Sequence, residues 1–307
     1  MNILITGGSG LIGQSFTKWM LHNHHQIWIL SRNPDSANLP AGVKGVQWDG
    51  KTTIGWLNIF ESMDAVINLA GENIGGGLWT EKRKKRILDS RVLAGRAITE
   101  AFQLAKNRPG VLIQASAVGI YGVESDEVLP ETAPAGKDWL AGVAREWEAS
   151  TDEVSDLGVR RVTIRTGLVL SQRGGVLPKL LLPFRLMVGG KMGSGRQWMP
   201  WIHIMDEVRA IQYLLELNTA RGVYNLAAPN PVTNAEFSKI ASRVLHRPAW
   251  FSIPGPILRA VLGEMSTLLL DGQRAIPQRL LEDGFQFRFN NLEPALEDLV
   301  RSPKIAD

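Results

Sequence analysis

Short apolar runs alternate with amphipathic stretches along most of this chain. Asn2-Ile3-Leu4-Ile5-Thr6 is the first run, and it suits a strand buried on both faces. A helical pattern follows at once, with Phe16, Trp19, Met20 and Leu21 on its apolar side. Residues 26–30 read as a second strand and 43–48 as a third, whose end, Gln47-Trp48-Asp49, is where an adenine would lie. Residues 64–72 form a buried strand running into a small-residue loop. A long helix from about Thr80 to Lys106 carries Ile87, Val92, Ala94, Ile98 and Ala101 as its core stripe. A strand and loop over 111–122, a helix over 139–150 and a strand over 159–170 complete the alternation. Such alternation gives a parallel sheet covered by helices on both faces, with ligands at the carboxyl ends of the strands. From roughly Asn230 the pattern turns helical and apolar, and Pro254 and Pro256 suggest a hinge into a last lobe.

Between the first strand and the first helix lies Gly7-Gly8-Ser9-Gly10-Leu11-Ile12-Gly13. Gly7 permits a tight turn, Gly10 lets backbone N–H groups approach a diphosphate, and Gly13 lets the helix pack closely on the strand. The diphosphate would rest at the helix N-terminus, on the N–H groups around Leu11 and Ile12. At the tip of the second strand stand Ser31 and Arg32. A carboxylate there would hold the 2′-hydroxyl of NAD, whereas a hydroxyl beside a guanidinium fork suits the 2′-phosphate of NADP(H). Asp35 is the rival carboxylate and sits past a proline. The expected fold is therefore α/β, a Rossmann-type doubly wound parallel sheet over residues 1–230. A smaller, mostly helical C-terminal substrate lobe follows over 231–307, and residues 171–205 contribute to the substrate cleft.

Composition narrows the partners. Of 307 residues, 44% are hydrophobic and 21% charged, as in a globular protein. The net charge of +4 argues against nucleic acid despite a pI near 9.4, because the basic run Glu81-Lys82-Arg83-Lys84-Lys85-Arg86 opens a helix and reads as a solvated face. The chain has no cysteine, and its five histidines show no i, i+4 pair, so no metal site is expected. With no leader pattern and no apolar run of about 18 residues, no membrane role is expected and a cytoplasmic location is. Leu268-Leu269-Leu270 reads as core, with a cleft cover or a homodimer face as the alternatives.

Longer segments carry a family resemblance. Asn68-Leu69-Ala70-Gly71-Glu72-Asn73-Ile74, Asp89-Ser90-Arg91, Ser116 to Gly122, Arg165 to Leu170, Pro183-Phe184-Arg185-Leu186, Gly193-Ser194-Gly195-Arg196-Gln197-Trp198, Trp201-Ile202-His203-Ile204-Met205-Asp206 and Ala228-Pro229-Asn230-Pro231-Val232 are the carriers. The chain resembles the extended and atypical short-chain dehydrogenase/reductases, and more closely their "epimerase family protein" branch, over nearly its whole length. The resemblance implies NADP(H) on the first domain, with Ser31 and Arg32 at the 2′-phosphate. It also implies cofactor contacts around Leu69, Ala70, Gly71, Arg91 and Val169. It names no substrate.

One departure bears on catalysis. Active members of the wider family use a Tyr-x-x-x-Lys pair, in which Tyr transfers a proton and Lys lowers its pKa. Here the corresponding place holds Trp139-Leu140-Ala141-Gly142-Val143, and the serine expected four residues before Tyr121 is Ala117. Tyr121 is then the remaining proton donor, or packs in its loop. Ser116 binds a substrate oxygen or caps its strand; Glu72 is a base or a solvated carboxylate; His203 donates a proton or is structural. Arg196 and Trp201 are candidates for the substrate side, as an anion contact and an apolar wall. The expected activity is an oxidoreductase or epimerase-like reaction on a small polar metabolite. The alternative is a catalytically silent NADPH-binding sensor or interaction protein.

Overall fold

The computed structural model describes residues 1–35, 39–122 and 124–301; the last six residues of the expected lobe, 302–307, lie outside them. The strands are β1 (Asn2–Thr6), β2 (Gln26–Ser31), β3 (Lys44–Gln47), β4 (Ala65–Asn68), β5 (Val111–Ala117), β6 (Glu124–Leu129), β7 (Arg160–Thr166), β8 (Leu168–Leu170), β9 (Trp198–Met199), β10 (Trp201–His203), β11 (Gly222–Leu226), β12 (Val232–Thr233) and β13 (Gly272–Ala275). The helices are α1 (Leu11–His22), α2 (Leu57–Phe60), α3 (Glu81–Leu104), α4 (Trp139–Ala149), α5 (Leu177–Arg185), α6 (Ile204–Glu216), α7 (Asn234–Leu245), α8 (Gly255–Leu262), α9 (Thr267–Leu270), α10 (Gln278–Glu282) and α11 (Leu292–Arg301).

Seven strands form one parallel sheet in the order β11-β7-β5-β4-β1-β2-β3. Chain direction across the sheet reverses between β1 and β4, which opens a crevice at their carboxyl ends. Because side chains alternate along a strand, each face has its own core. Ile3 and Ile5 pack with Phe16 of α1 and with Val208 and Ile211 of α6. Leu4, Val66 and Leu112 point the other way, onto Ile98 and Phe102 of α3. Trp48 belongs to this second core, 4% exposed and edge-on to Trp56 at 6.1 Å, so the indole expected beside an adenine is committed to packing.

A third core joins α5, α7 and α11 to β9 and β10, and it holds the C-terminal lobe on the sheet domain. Two small sheets stitch the two together, β12 with β9 and β13 with β6, while β8 pairs with β10 within the sheet domain. The lobe is mostly helical, as its apolar periodicity indicates. Its two prolines, expected at a hinge, stand at the start of α8. Pro254 precedes α8 and Pro256 lies in the helix's first turn, where a missing N–H costs nothing. Thr80 caps α3, Asp138 caps α4, and Thr233 with Glu236 forms a capping box on α7. No helix among the described residues is long and apolar enough to cross a membrane.

Candidate cofactor crevice and active-site cavity

The Gly7 loop follows β1 and packs against the exit of β4, at the edge of the crevice. Gly7 has φ of +67°, and a Cβ there would stand 2.5 Å from the Leu69 carbonyl oxygen. A Cβ on Gly13 would stand 2.5 Å from the Gly7 carbonyl oxygen. The loop is therefore pressed against both the β4 exit and the first turn of α1, an approach only glycine permits. Gly10 closes the turn through its N–H to the Gly7 carbonyl, 3.0 Å, and begins α1 without a side-chain cap. Uncapped N–H groups at this end leave positive charge facing the crevice.

Buried polar groups fix the neighbouring strand ends. Thr6 donates to Asn68 at 2.6 Å, Asn68 to Gln114 at 2.8 Å, and the Ala70 N–H to Thr6 at 3.2 Å. That chain of bonds sets the Leu69-Ala70-Gly71 loop, since none of its members can lose a partner without leaving a buried group unpaired. Val169 lies on β8, and the loop after it brings Gly174 and Gly175 against the Leu11 side chain at the start of α1. At the tip of β2, the Asn33 N–H donates to Ser31 Oγ and the Arg32 carbonyl accepts from Gln47. The Arg32 guanidinium itself is exposed and has no partner among the described residues.

Beyond the crevice lies a cavity of about 280 Å³ between the sheet domain and the lobe. Val118, Leu140, Val143 and Trp147 line it from one side, and Leu168, Leu180, Met192, Met199, Leu268 and Leu269 from the other. Arg91, Thr166, Gln197, Asn234 and Gln273 are among its few polar residues. Arg91 bridges crevice and cavity. It donates to the Glu72 and Ile87 carbonyls at 3.1 and 2.9 Å and lies 4.8 Å from the Trp147 ring centre. Burial pulls its pKa down to about 10, with the Glu72 charge opposing, so it stays protonated at neutral pH.

None of the four side chains expected to handle protons lines this cavity. Tyr121 ends a turn of 3-10 helix that swings its hydroxyl behind the sheet ends; it donates to Asn225 at 2.7 Å and accepts from Arg165 at 3.0 Å. Burial raises its pKa despite the adjacent guanidinium, which keeps the phenol protonated. Ser116 donates to Glu148 at 2.6 Å, and Glu148 also accepts two bonds from Arg165, at 2.9 and 3.0 Å. Burial works against the Arg165 charge, but the Glu148 carboxylate outweighs it and raises the pKa. Glu72 pairs with Arg83 and Arg86 at 3.2 and 3.3 Å. His203 is 1% exposed, with Nδ1 capping α6 by accepting from the Met205 N–H and its ring against Phe289. Burial lowers its pKa, in keeping with an acceptor nitrogen.

The two residues expected on the substrate side also lie elsewhere. Trp201 is fully buried in the third core and donates to the Asn230 carbonyl, 3.0 Å away. Arg196 is exposed, 3.8 Å from Asp126, directly before Gln197 and Trp198, which do line the cavity. The sequence reading missed Trp147, Thr166, Gln197 and Asn234 as lining residues. Thr166 carried a signal, standing inside Arg165-Thr166-Gly167 at a strand's carboxyl end.

A family model described as the NAD dependent epimerase/dehydratase family matches residues 3–227, the sheet domain with its glycine crevice. The chain belongs to that family. A second model, a domain of unknown function (DUF1731), matches residues 253–299 in the lobe. Epimerase family protein YfhF of Bacillus subtilis is 40% identical over 305 residues, 99% of each chain. The crystal structure of human epimerase family protein SDR39U1 (isoform 2) with NADPH is 32% identical and superposes with a TM-score of 0.87, covering 98% of this chain and all of that one. A nucleoside-diphosphate sugar epimerase from Corynebacterium glutamicum is 31% identical with a TM-score of 0.79, over 98% of this chain and 58% of that one. The bacterial and human relatives thus align with nearly the whole of this chain. Its α4 departs from the wider family's catalytic pattern: Val143 lines the cavity and the Trp139 ring lies tilted against Trp79, 4.6 Å between ring centres.

Proposed function

We propose that the chain binds NADP(H) across the glycine crevice and acts as an oxidoreductase on a small, largely apolar carbonyl or alcohol in the adjoining cavity. One observation carries the cofactor reading: the unpartnered Arg32 guanidinium at the tip of β2, beside a backbone cradle that a single Cβ would fill. A guanidinium fork there matches a 2′-phosphate, and the uncapped start of α1 matches a diphosphate. The NADPH in the human relative's structure agrees with this assignment. Gly7, Gly10, Leu11, Ile12 and Gly13 would hold the diphosphate, Ser31 and Arg32 the 2′-phosphate, and Leu69, Ala70, Gly71, Arg91 and Val169 the inner part of the molecule. The bound nicotinamide supplies or takes a hydride.

The walls of the cavity favour a less polar ligand than the small polar metabolite expected from the sequence. A sugar's hydroxyls set against Leu140, Val143, Leu168 and Met199 would lose water without gaining partners, at roughly 1–3 kcal/mol each. At about 280 Å³ the space sits near the lower end of ligand pockets, which span about 300–1,000 Å³. Arg91, Thr166 and Gln197 are among the polar groups that would orient one oxygen on such a ligand.

Fluorescence titration with NADPH and NADH tests the cofactor reading. NADPH binds more tightly, and Arg32→Ala weakens it by on the order of 10- to 150-fold, the equivalent of a charge-assisted bond of about 1.5–3 kcal/mol. NADH affinity stays within about twofold in the same variant. Equal binding of both dinucleotides by the unmodified protein overturns the assignment.

A further inference from the structure

Glu207 lies in the first turns of α6 and is fully buried, an uncommon place for a carboxyl group. Its Oε1 accepts from the Thr166 hydroxyl at 2.8 Å, and its Oε2 has no partner among the described residues. Thr166 ends β7 and lines the cavity. Among the described residues no charge compensates the carboxyl. On its own helix, Asp206 accepts from the N–H groups of Arg288 and Phe289 and pairs with Arg209, while His203 faces Asp298 and Phe289. On the strands around it, Arg160 of β7 reaches the Leu214 and Leu215 carbonyls at the far end of α6, and neither β5 nor β8 carries a charged residue. On α1 the basic side chain of Lys18 is exposed.

We propose that Glu207 and Thr166 form a two-member proton relay, with Glu207 as a buried proton store and the Thr166 hydroxyl as its outlet into the cavity. Geometry requires a neutral acid here: an ionised carboxylate with one oxygen unpaired in an apolar interior carries a desolvation cost that a proton removes. Burial accordingly raises the Glu207 pKa to about 8, the Thr166 bond opposing only in part. A hydroxyl both donates and accepts, so it passes a proton without a net change of its own. The Thr166 hydroxyl turns its proton from Glu207 Oε1 to an oxygen in the cavity, and Glu207 then gives its own proton to the Thr166 oxygen as the Thr166 proton moves on. The threonine is restored and Glu207 is left as carboxylate; proton uptake runs the same two transfers backwards. Glu207 touches no ligand, so it acts through Thr166 as a positioning residue. An acid held near pKa 8 is well matched to that task at neutral pH.

The role in turnover rests on the oxidoreductase reading above, but the relay itself is measurable in the ligand-free protein. Infrared spectroscopy follows the carbonyl stretch of a protonated carboxylic acid, which ordinary surface carboxylates lack at neutral pH. The expected band is present at pH 7, disappears with a midpoint near pH 8, and is missing in Glu207→Gln. On transfer to D2O it shifts quickly in the unmodified protein and in Thr166→Ser. In Thr166→Val it shifts more slowly by on the order of tenfold or more, because exchange then waits for local opening of the fold. No Glu207-dependent band, or exchange in Thr166→Val as fast as in the unmodified protein, overturns the relay. NADPH titration of the same samples tests the cofactor reading separately, so either result can fail without the other.

Discussion

Replacing Glu207 by glutamine removes a proton that folding takes up, and stability then responds differently to pH. The carboxyl titrates at an ordinary 4.5 in the unfolded chain and at about 8 in the folded one. Below pH 4.5 both states are protonated and the group does not make stability depend on pH. Between 4.5 and about 8 the folded state holds the proton and the unfolded state has lost it, so raising the pH favours unfolding. Each unit is worth about 1.4 kcal/mol, and the window spans 3.5 units, the difference between the two values; the whole loss is roughly 5 kcal/mol. Above pH 8 both states are ionised and the loss is complete. Glutamine has the same shape and no titration, so all other pH-dependent groups cancel when the two proteins are compared. Urea unfolding at half-unit steps from pH 5 to 9 supplies the comparison. The stability of Glu207→Gln relative to the unmodified protein rises by about 1.4 kcal/mol per unit up to about pH 8 and then levels off. A difference that stays flat across the range refutes the reasoning, because it means that Glu207 titrates alike in both states.

Tyr121→Phe removes a hydroxyl that bonds Asn225 and Arg165, so it lowers unfolding free energy by about 1–3 kcal/mol while NADPH affinity, read by titration, stays within about twofold. Gly7→Ala forces a side chain into a positive-φ position against the Leu69 carbonyl; it costs about 1–3 kcal/mol of stability and abolishes measurable NADPH binding by widening the crevice.

What could be read from the sequence was whatever local backbone chemistry dictates. The spacing of Gly7, Gly10 and Gly13 announced the turn because each glycine answers a steric demand made within a few residues or by the adjoining strand. The long helix expected from about Thr80 to Lys106 is Glu81–Leu104, its start fixed by the Thr80 cap. Contacts made far along the chain were not legible. The face of β10 on which His203 and Trp201 emerge is covered by helices returning from the C-terminal lobe, whose Asp298 and Leu296 lie some ninety residues downstream. Tyr121 looked available because its loop follows a strand; its actual partner, Asn225, sits 104 residues away on β11. Glu207 directly follows the Trp201–Asp206 segment, and its burial is not legible in the sequence, since glutamate on an amphipathic helix ordinarily faces water.

These misplacements share a physical pattern. The face of α4 that would carry a Tyr–Lys pair is an apolar wall of Leu140, Val143 and Trp147, so a lysine ammonium or a phenolate there would have lost its hydration. The polar groups near the strand ends, Glu148, Arg165 and Tyr121, do not line the cavity and are bonded through Arg165. Of the buried acids beside the cavity, Glu207 is bonded to one of its lining side chains and carries an oxygen with nothing else to hold it. A neutral acid can sit beneath an apolar floor where an ion pair could not, and a threonine hydroxyl is enough to connect it. The proposed relay therefore puts proton handling at the junction of β7 and α6 rather than on α4, where the family pattern would put it.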